Sequence, residues 1–160
     1  MLMRNQAMLR TRLNEALKEA MRSKNQRALS TVRLILAALK DRDIAARSRG
    51  VTDGVDETEI LSMLQTMIKQ RNDSIALYEQ GGRLELAEQE REEITVIEGF
   101  LPKQMSEEEV AQAVQAAVAE TGASGIKDMG RVMAELKARH AGQMDFAKVS
   151  GVVKQQLSGG

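Results

Sequence analysis

Cysteine is absent from the 160 residues, so the chain has no disulfide, no thiolate metal ligand and no thiol nucleophile. The single histidine, His140, excludes a multi-histidine metal centre. Aromatic residues make up only 2% of the chain, so a core must be built from Leu, Ile, Val, Ala and ten Met. Most of these favour helices, whereas sheets favour aromatic and β-branched side chains. With one proline and no alternating Val/Thr/Tyr run, the composition predicts an all-α chain. No apolar run approaches the ~18 residues of a membrane span, and the N-terminus lacks the short apolar block of a secretory signal. That N-terminus is basic and amphipathic, but it carries Glu15 and Glu19 and runs unbroken into a helix. On those grounds it reads as mature structure, and the expected compartment is the cytoplasm. Also missing are a Gly-rich phosphate loop, a GxSxG elbow, an HExxH pair and any Cys/His pair. No catalytic residue, metal ligand or cofactor is assigned.

Charge is present in balance but unevenly placed. Residues 1–49 hold twelve Lys/Arg against four Asp/Glu, and residues 50–101 hold four against twelve. The pattern repeats after that, at −3 over residues 102–120 and +3 over residues 121–160. Oppositely charged helices packed side by side would neutralise each other locally. The other reading is a face left basic enough to meet phosphate.

Apolar spacing of three and four predicts helices over residues 2–23, 26–46, 56–80 and 83–101. Asn25 and Asp56 are placed as N-caps, with Glu59 completing a capping box, and Gly81-Gly82 closes the third helix. Pro102 stops the fourth helix and is the best boundary in the chain, dividing an N-terminal helical bundle (1–101) from a small three-helix module (102–160). In that module Ser106 and Glu109 predict a capping box, with Met105 stapled against Val110. A helix from Gly125 to His140 is expected to turn Ile126, Met129, Met133 and Leu136 inward. Asp145 caps the last helix, striped by Phe146, Val149, Val153 and Leu157.

Three arginines interrupt apolar stripes: Arg33, Arg71 and Arg91. An inward arginine must find carboxylates or carbonyls, because a buried unpaired charge is prohibitively costly. They are expected in structural ion pairs, with Glu98 as a candidate partner, or with aliphatic stems snorkelling at the core edge, and the alternative is a shared basic groove between the second, third and fourth helices. Gly130 sits inside a helix at a cost of about 1 kcal/mol relative to Ala, and close helix packing is the expected reason. His140, beside Lys137 and Arg139, is read as suiting the negative end of a helix dipole.

Several ordered blocks carry a resemblance. Lys69-Gln70-Arg71-Asn72-Asp73-Ser74-Ile75, Tyr78 to Arg83, Ile97 to Ser106, Thr121 to Ser124 and Lys127 to Met133 together resemble the GatB/YqeY family of small bacterial proteins. Phe100 stands where a Tyr is common in that family. The resemblance implies that the C-terminal module is similar to the tail domain of the B subunit of the glutamine-dependent amidotransferase acting on misacylated tRNA. In that enzyme the tail is a helical appendage on the outer corner of the tRNA, centred here on Met129 to Met133 and on Lys148 to Leu157. The resemblance also implies the label of carbon–nitrogen ligase with glutamine as amido donor. The chain has neither the amidase Ser-Ser-Lys machinery nor a site for carboxylate activation, so that label is read as inherited from the larger relative. The expected role is an accessory protein partnered with tRNA or an amidotransferase complex and non-catalytic alone. The candidate phosphate contacts are Lys127, Arg131, Lys137, Arg139, Lys148 and Lys154. A module docking a protein partner through helical faces is the alternative.

Overall fold

The computed structural model describes residues 8–159. Among them every regular element is helical, and the all-α expectation holds. The chain divides into two compact units, Met1–Leu101 and Pro102–Gly160.

The first unit contains α1 (Leu9–Ser23), α2 (Gln26–Arg47), α3 (Glu57–Gln80) and α4 (Leu84–Glu98). The part of the first predicted helix before Met8 lies outside the described residues. Lys24, in the left-handed region at φ 56°, ends α1, and the Asn25 side chain accepts from Ala28 N at 3.1 Å to start α2. So short a connection makes α1 and α2 antiparallel neighbours. Gly82 at φ 72° lets Arg83 N reach back to Tyr78 O at 2.8 Å, folding α4 onto α3. One apolar core unites the four helices, with Leu13, Val32, Ile35, Ile60, Leu64 and Ile97 all but sealed from solvent.

The loop between α2 and α3 is pinned by one aspartate. Asp43 accepts from both terminal nitrogens of Arg10 at 2.9 and 2.8 Å and from Val55 N at 2.9 Å, while Arg10 also donates to Val55 O at 2.9 Å. This clasp holds the Asp43 carboxyl at about 2, chiefly through the Arg10 hydrogen bonds. Gly54, at φ 93°, completes it, because a Cβ there would meet the guanidinium nitrogen at 2.6 Å. Asp56 caps α3 by accepting from Glu59 N at 2.9 Å. The capping box expected here is not completed, since the Glu59 carboxylate lies 3.5 Å from Arg49 instead.

The second unit contains α5 (Glu107–Thr121), a 3-10 turn (Ile126–Asp128), α6 (Met129–Arg139) and α7 (Phe146–Gly159). Both halves of the Ser106/Glu109 capping box are formed, at 3.1 and 2.9 Å. The first-turn geometry also lowers the Glu109 carboxyl below its usual range through its bond to the Ser106 amide. Met105 and Val110 pack on a core of Val114, Ala117, Val132, Leu136, Val149, Val153 and Leu157. The single helix expected over residues 125–140 is broken by the 3-10 turn, which leaves Ile126 47% exposed and puts Val132 in the core.

Candidate nucleic-acid interface

Asp128 causes that break. Its carboxylate accepts from Ser124 N at 2.9 Å and Gly125 N at 3.3 Å, which tightens the chain ahead of α6. Arg131 closes the knot, donating to Asp128 at 2.7 Å and to Thr121 O at 3.1 Å. The Ser124 amide first, and the Arg131 hydrogen bond next, hold the Asp128 carboxyl at about 2. Arg131, a candidate phosphate contact by sequence, thus ties α6 to the end of α5 while its side chain stays 59% exposed. Gly130 beside it is exposed, and a Cβ built there meets nothing within 4 Å. Close packing, the expected reason for this glycine, does not hold.

Arg139 is also engaged. It contacts Glu120 of α5 and lies 2.6 Å from Glu135 one turn earlier on α6. His140 is half-buried, with Nδ1 3.2 Å from the Gln143 side-chain oxygen. Lys127, Lys137, Lys148 and Lys154 are exposed, and none has a carboxylate within ion-pair distance among the described residues. Indeed, every ion pair among the described residues uses arginine as its cation. Beyond residue 120 the acidic side chains are Asp128, Glu135 and Asp145. The first two are paired, and Asp145 caps α7 by accepting from Ala147 N at 3.0 Å. The cations of residues 121–159 outside these ion pairs are therefore the four lysines, while Asp145 keeps its negative charge at the start of α7.

The three arginines of the first unit take separate roles. Arg71, with its side chain 13% exposed, lies 2.9 Å from Glu93 and 3.9 Å from Glu90 and donates to Met67 O at 3.1 Å. Burial, with Glu93 nearby, pushes the Glu90 carboxyl up. Arg91 is exposed and pairs with Glu79 across the hairpin and with Glu88 at 3.5 Å. Arg33 is exposed, because the buried face of α2 is centred on Val32, Ile35 and Leu39 rather than on Leu36. Glu98, the partner proposed from sequence, takes none of the ion pairs found among the described residues. Arg27 of α2 adds a contact to Glu92 of α4 at 3.2 Å, so these helices neutralise one another across their interfaces. Among the described residues no group of acidic or histidine side chains could hold a metal ion, and no helix is long and apolar enough to cross a membrane.

The family model for Yqey-like protein matches residues 10–157. The chain belongs to the YqeY family. It is also similar to proteins named "Altered inheritance of mitochondria protein 41, mitochondrial". The protein of that name from Pyrenophora tritici-repentis is 33% identical over 134 residues, covering 80% of this chain and 71% of the relative. Its counterpart from Kluyveromyces lactis is 32% identical over 106 residues, 64% of this chain and 55% of the relative. That from Candida glabrata is 34% identical over 89 residues, 56% and 47% respectively. The mitochondrial names conflict with the cytoplasmic expectation, which is corrected here. That expectation leaned on Glu15 and Glu19, which lie inside the folded helix α1. Acidic residues within α1 carry no information about targeting.

Proposed function

We propose that this YqeY-family chain is a non-catalytic accessory protein that binds tRNA through its second unit. The observation that carries the reading is the charge arrangement after residue 120. Each carboxylate there is engaged, both arginines sit in ion pairs at the surface, and Lys127, Lys137, Lys148 and Lys154 are exposed outside those pairs. The resemblance of this module to an amidotransferase tail supports tRNA as the source of that phosphate. An association with an amidotransferase complex is the corresponding cellular role, with the carbon–nitrogen ligase chemistry in the partner.

The test is a titration of bulk tRNA against the full chain at two salt concentrations, beside a Lys127→Glu/Lys154→Glu variant. Log affinity should fall linearly with log salt, and the variant should bind more weakly with a shallower slope. Superimposable curves for the two proteins, or no wild-type binding at low salt, would remove the reading. A second reading, docking of a protein partner, is favoured by Leu77 and Leu84. They flank the α3–α4 turn and are 68% and 63% exposed. An apolar helical contact of that kind would be far less sensitive to salt.

A further inference from the structure

The first unit carries positive charge of its own, laid out along one cleft. On α1, Arg10, Asn14, Leu17 and Met21 follow one another at spacings of four, three and four, which sets them in one row. On α2, Arg33, Leu36, Lys40, Asp43 and Arg47 follow at three, four, three and four and form a second row. The two helices are antiparallel neighbours, and the Arg10–Asp43 pair at 2.8 Å joins the rows at one end. Arg10, Asn14, Leu36, Leu39, Lys40 and Asp43 together line an open cleft of about 240 Å³ between the helices.

Beyond that pair the charge of the rows has one sign. Arg33, Lys40 and Arg47 are exposed and stand outside the ion pairs found among the described residues, and Arg47 acts on Asp43 only at longer range. Asp41, the other acid of α2, directly follows Lys40 and so projects about 100° away around the helix. On α1, Glu19 is paired with Arg22 at 2.8 Å, and Glu15 directly follows Asn14, again about 100° away. The floor is apolar. Leu39 is buried, Leu17 and Leu36 are partly buried against the unit's core, and Met21 extends the floor with 54% exposure. Two helical turns separate Arg33 from Lys40 and Lys40 from Arg47, a rise of about 10 Å each with a drift of only ~20°. A helix laid along the cleft repeats its own face on that same scale. An extended strand presents a face every ~7 Å and falls out of step.

We propose that the cleft between α1 and α2 docks an acidic amphipathic helix of a protein partner. Its apolar side chains would meet Leu17, Met21 and Leu36, and its carboxylates would meet Arg33, Lys40 and Arg47. This docking is independent of the RNA reading, which concerns the second unit. A phosphate backbone has no use for an apolar floor, and a bilayer is met by apolar side chains that protrude rather than by a floor set below a row of charge. A helix that carries both kinds of side chain on one face covers both features.

The probe is a synthetic amphipathic peptide of about 20 residues, long enough as a helix (~30 Å) to span the row. It carries Leu along one face, flanked by Glu at seven-residue intervals, and its control replaces each Glu by Gln. Titrated into the isotope-labelled full chain, the acidic peptide should shift the amide resonances of Asn14, Met21, Leu36 and Lys40. An Arg33→Gln/Lys40→Gln variant with unchanged circular dichroism should bind it about 5- to 30-fold more weakly at low salt, and the loss should narrow at high salt. A Met21→Gln variant should weaken binding at both salts. No binding, equal binding of the Gln peptide, unchanged affinity in the double variant, or shifts centred on Leu77 and Leu84 would each overturn the proposal. Bulk tRNA and phosphatidylglycerol vesicles are titrated in parallel. If either shifts the cleft resonances as the peptide does, the cleft is a phosphate or membrane site and the proposal falls. Shifts by tRNA confined to the second unit would leave the proposal and the RNA reading both standing.

Discussion

Replacing Asp43 by alanine removes the centre of the clasp that ties α1, α2 and the following loop. The displacement of its carboxyl from 3.8 to about 2 corresponds to about 2.5 kcal/mol at full weight. The Arg10 and Asp43 side chains retain 32% and 24% exposure, so solvent screening reduces this to roughly 1–2 kcal/mol. Part of that is the bond from Val55 N, which Asp43→Ala leaves without its acceptor. The expected loss is about 1–2 kcal/mol, or roughly 5–15 °C in Tm for a unit of this size. Tyr78 in α3 is the sole tyrosine of the chain and there is no tryptophan, so tyrosine fluorescence during urea unfolding reports on the first unit. Because the folded carboxyl titrates below its unfolded value, the stabilisation is complete above about pH 4. It is lost as the pH falls through about 2. The gap between wild type and variant should therefore be constant from pH 5 to 7 and should shrink between pH 4 and 2. A variant within about 0.5 kcal/mol of wild type at pH 7, or a gap as wide at pH 2 as at pH 7, would refute the reasoning.

Thr31 is fully buried and its hydroxyl has no partner among the described residues. Thr31→Val should therefore stabilise the first unit by about 1 kcal/mol in the same urea assay, and a destabilised variant would mean the hydroxyl is satisfied. Gly130→Ala should leave the second unit as stable as before or raise its stability by about 0.5–1 kcal/mol, measured by amide hydrogen exchange on α6. A marked loss would restore a packing role for the glycine. Limited proteolysis with a broad-specificity protease should cut between Leu101 and Gln104 before any bond inside a helix. First cleavage between Met63 and Met67 would contradict the division into two units.

The features legible in the sequence were the local ones. Asn25, Asp56, Ser106 and Asp145 are caps because each places a short polar side chain within reach of amides two or three residues on, and no tertiary information is needed to see that. The face of α2 was harder to place. Leu29, Val32, Leu36 and Leu39 fit a helical stripe, but Thr31 and Ile35 are buried and Leu36 only partly so. The true face is rotated enough to carry Arg33 into solvent. Glu59 left its predicted capping role because Arg49, ten residues earlier and across a loop, competes for it. The break ahead of α6 has a local signal in the sequence. Asp128 follows Ser124-Gly125 and precedes Arg131 by three residues, a spacing that allows it to bond both. Which cations remain free could not be read from spacing alone, since Arg139 is neutralised by Glu120 on another helix.

The central claim is that phosphate contact falls on the lysines of the second unit. Lysine footprinting of the full chain with an amine-acetylating reagent, with and without tRNA and read by mass spectrometry, tests it most directly. The lysines of both units lie outside the ion pairs found among the described residues, so those of the first unit serve as internal controls. Bound tRNA should protect Lys127, Lys137, Lys148 and Lys154 while leaving Lys18, Lys24, Lys40 and Lys69 as reactive as in the free protein. Protection spread evenly over both sets, or confined to the first-unit lysines, would contradict the account.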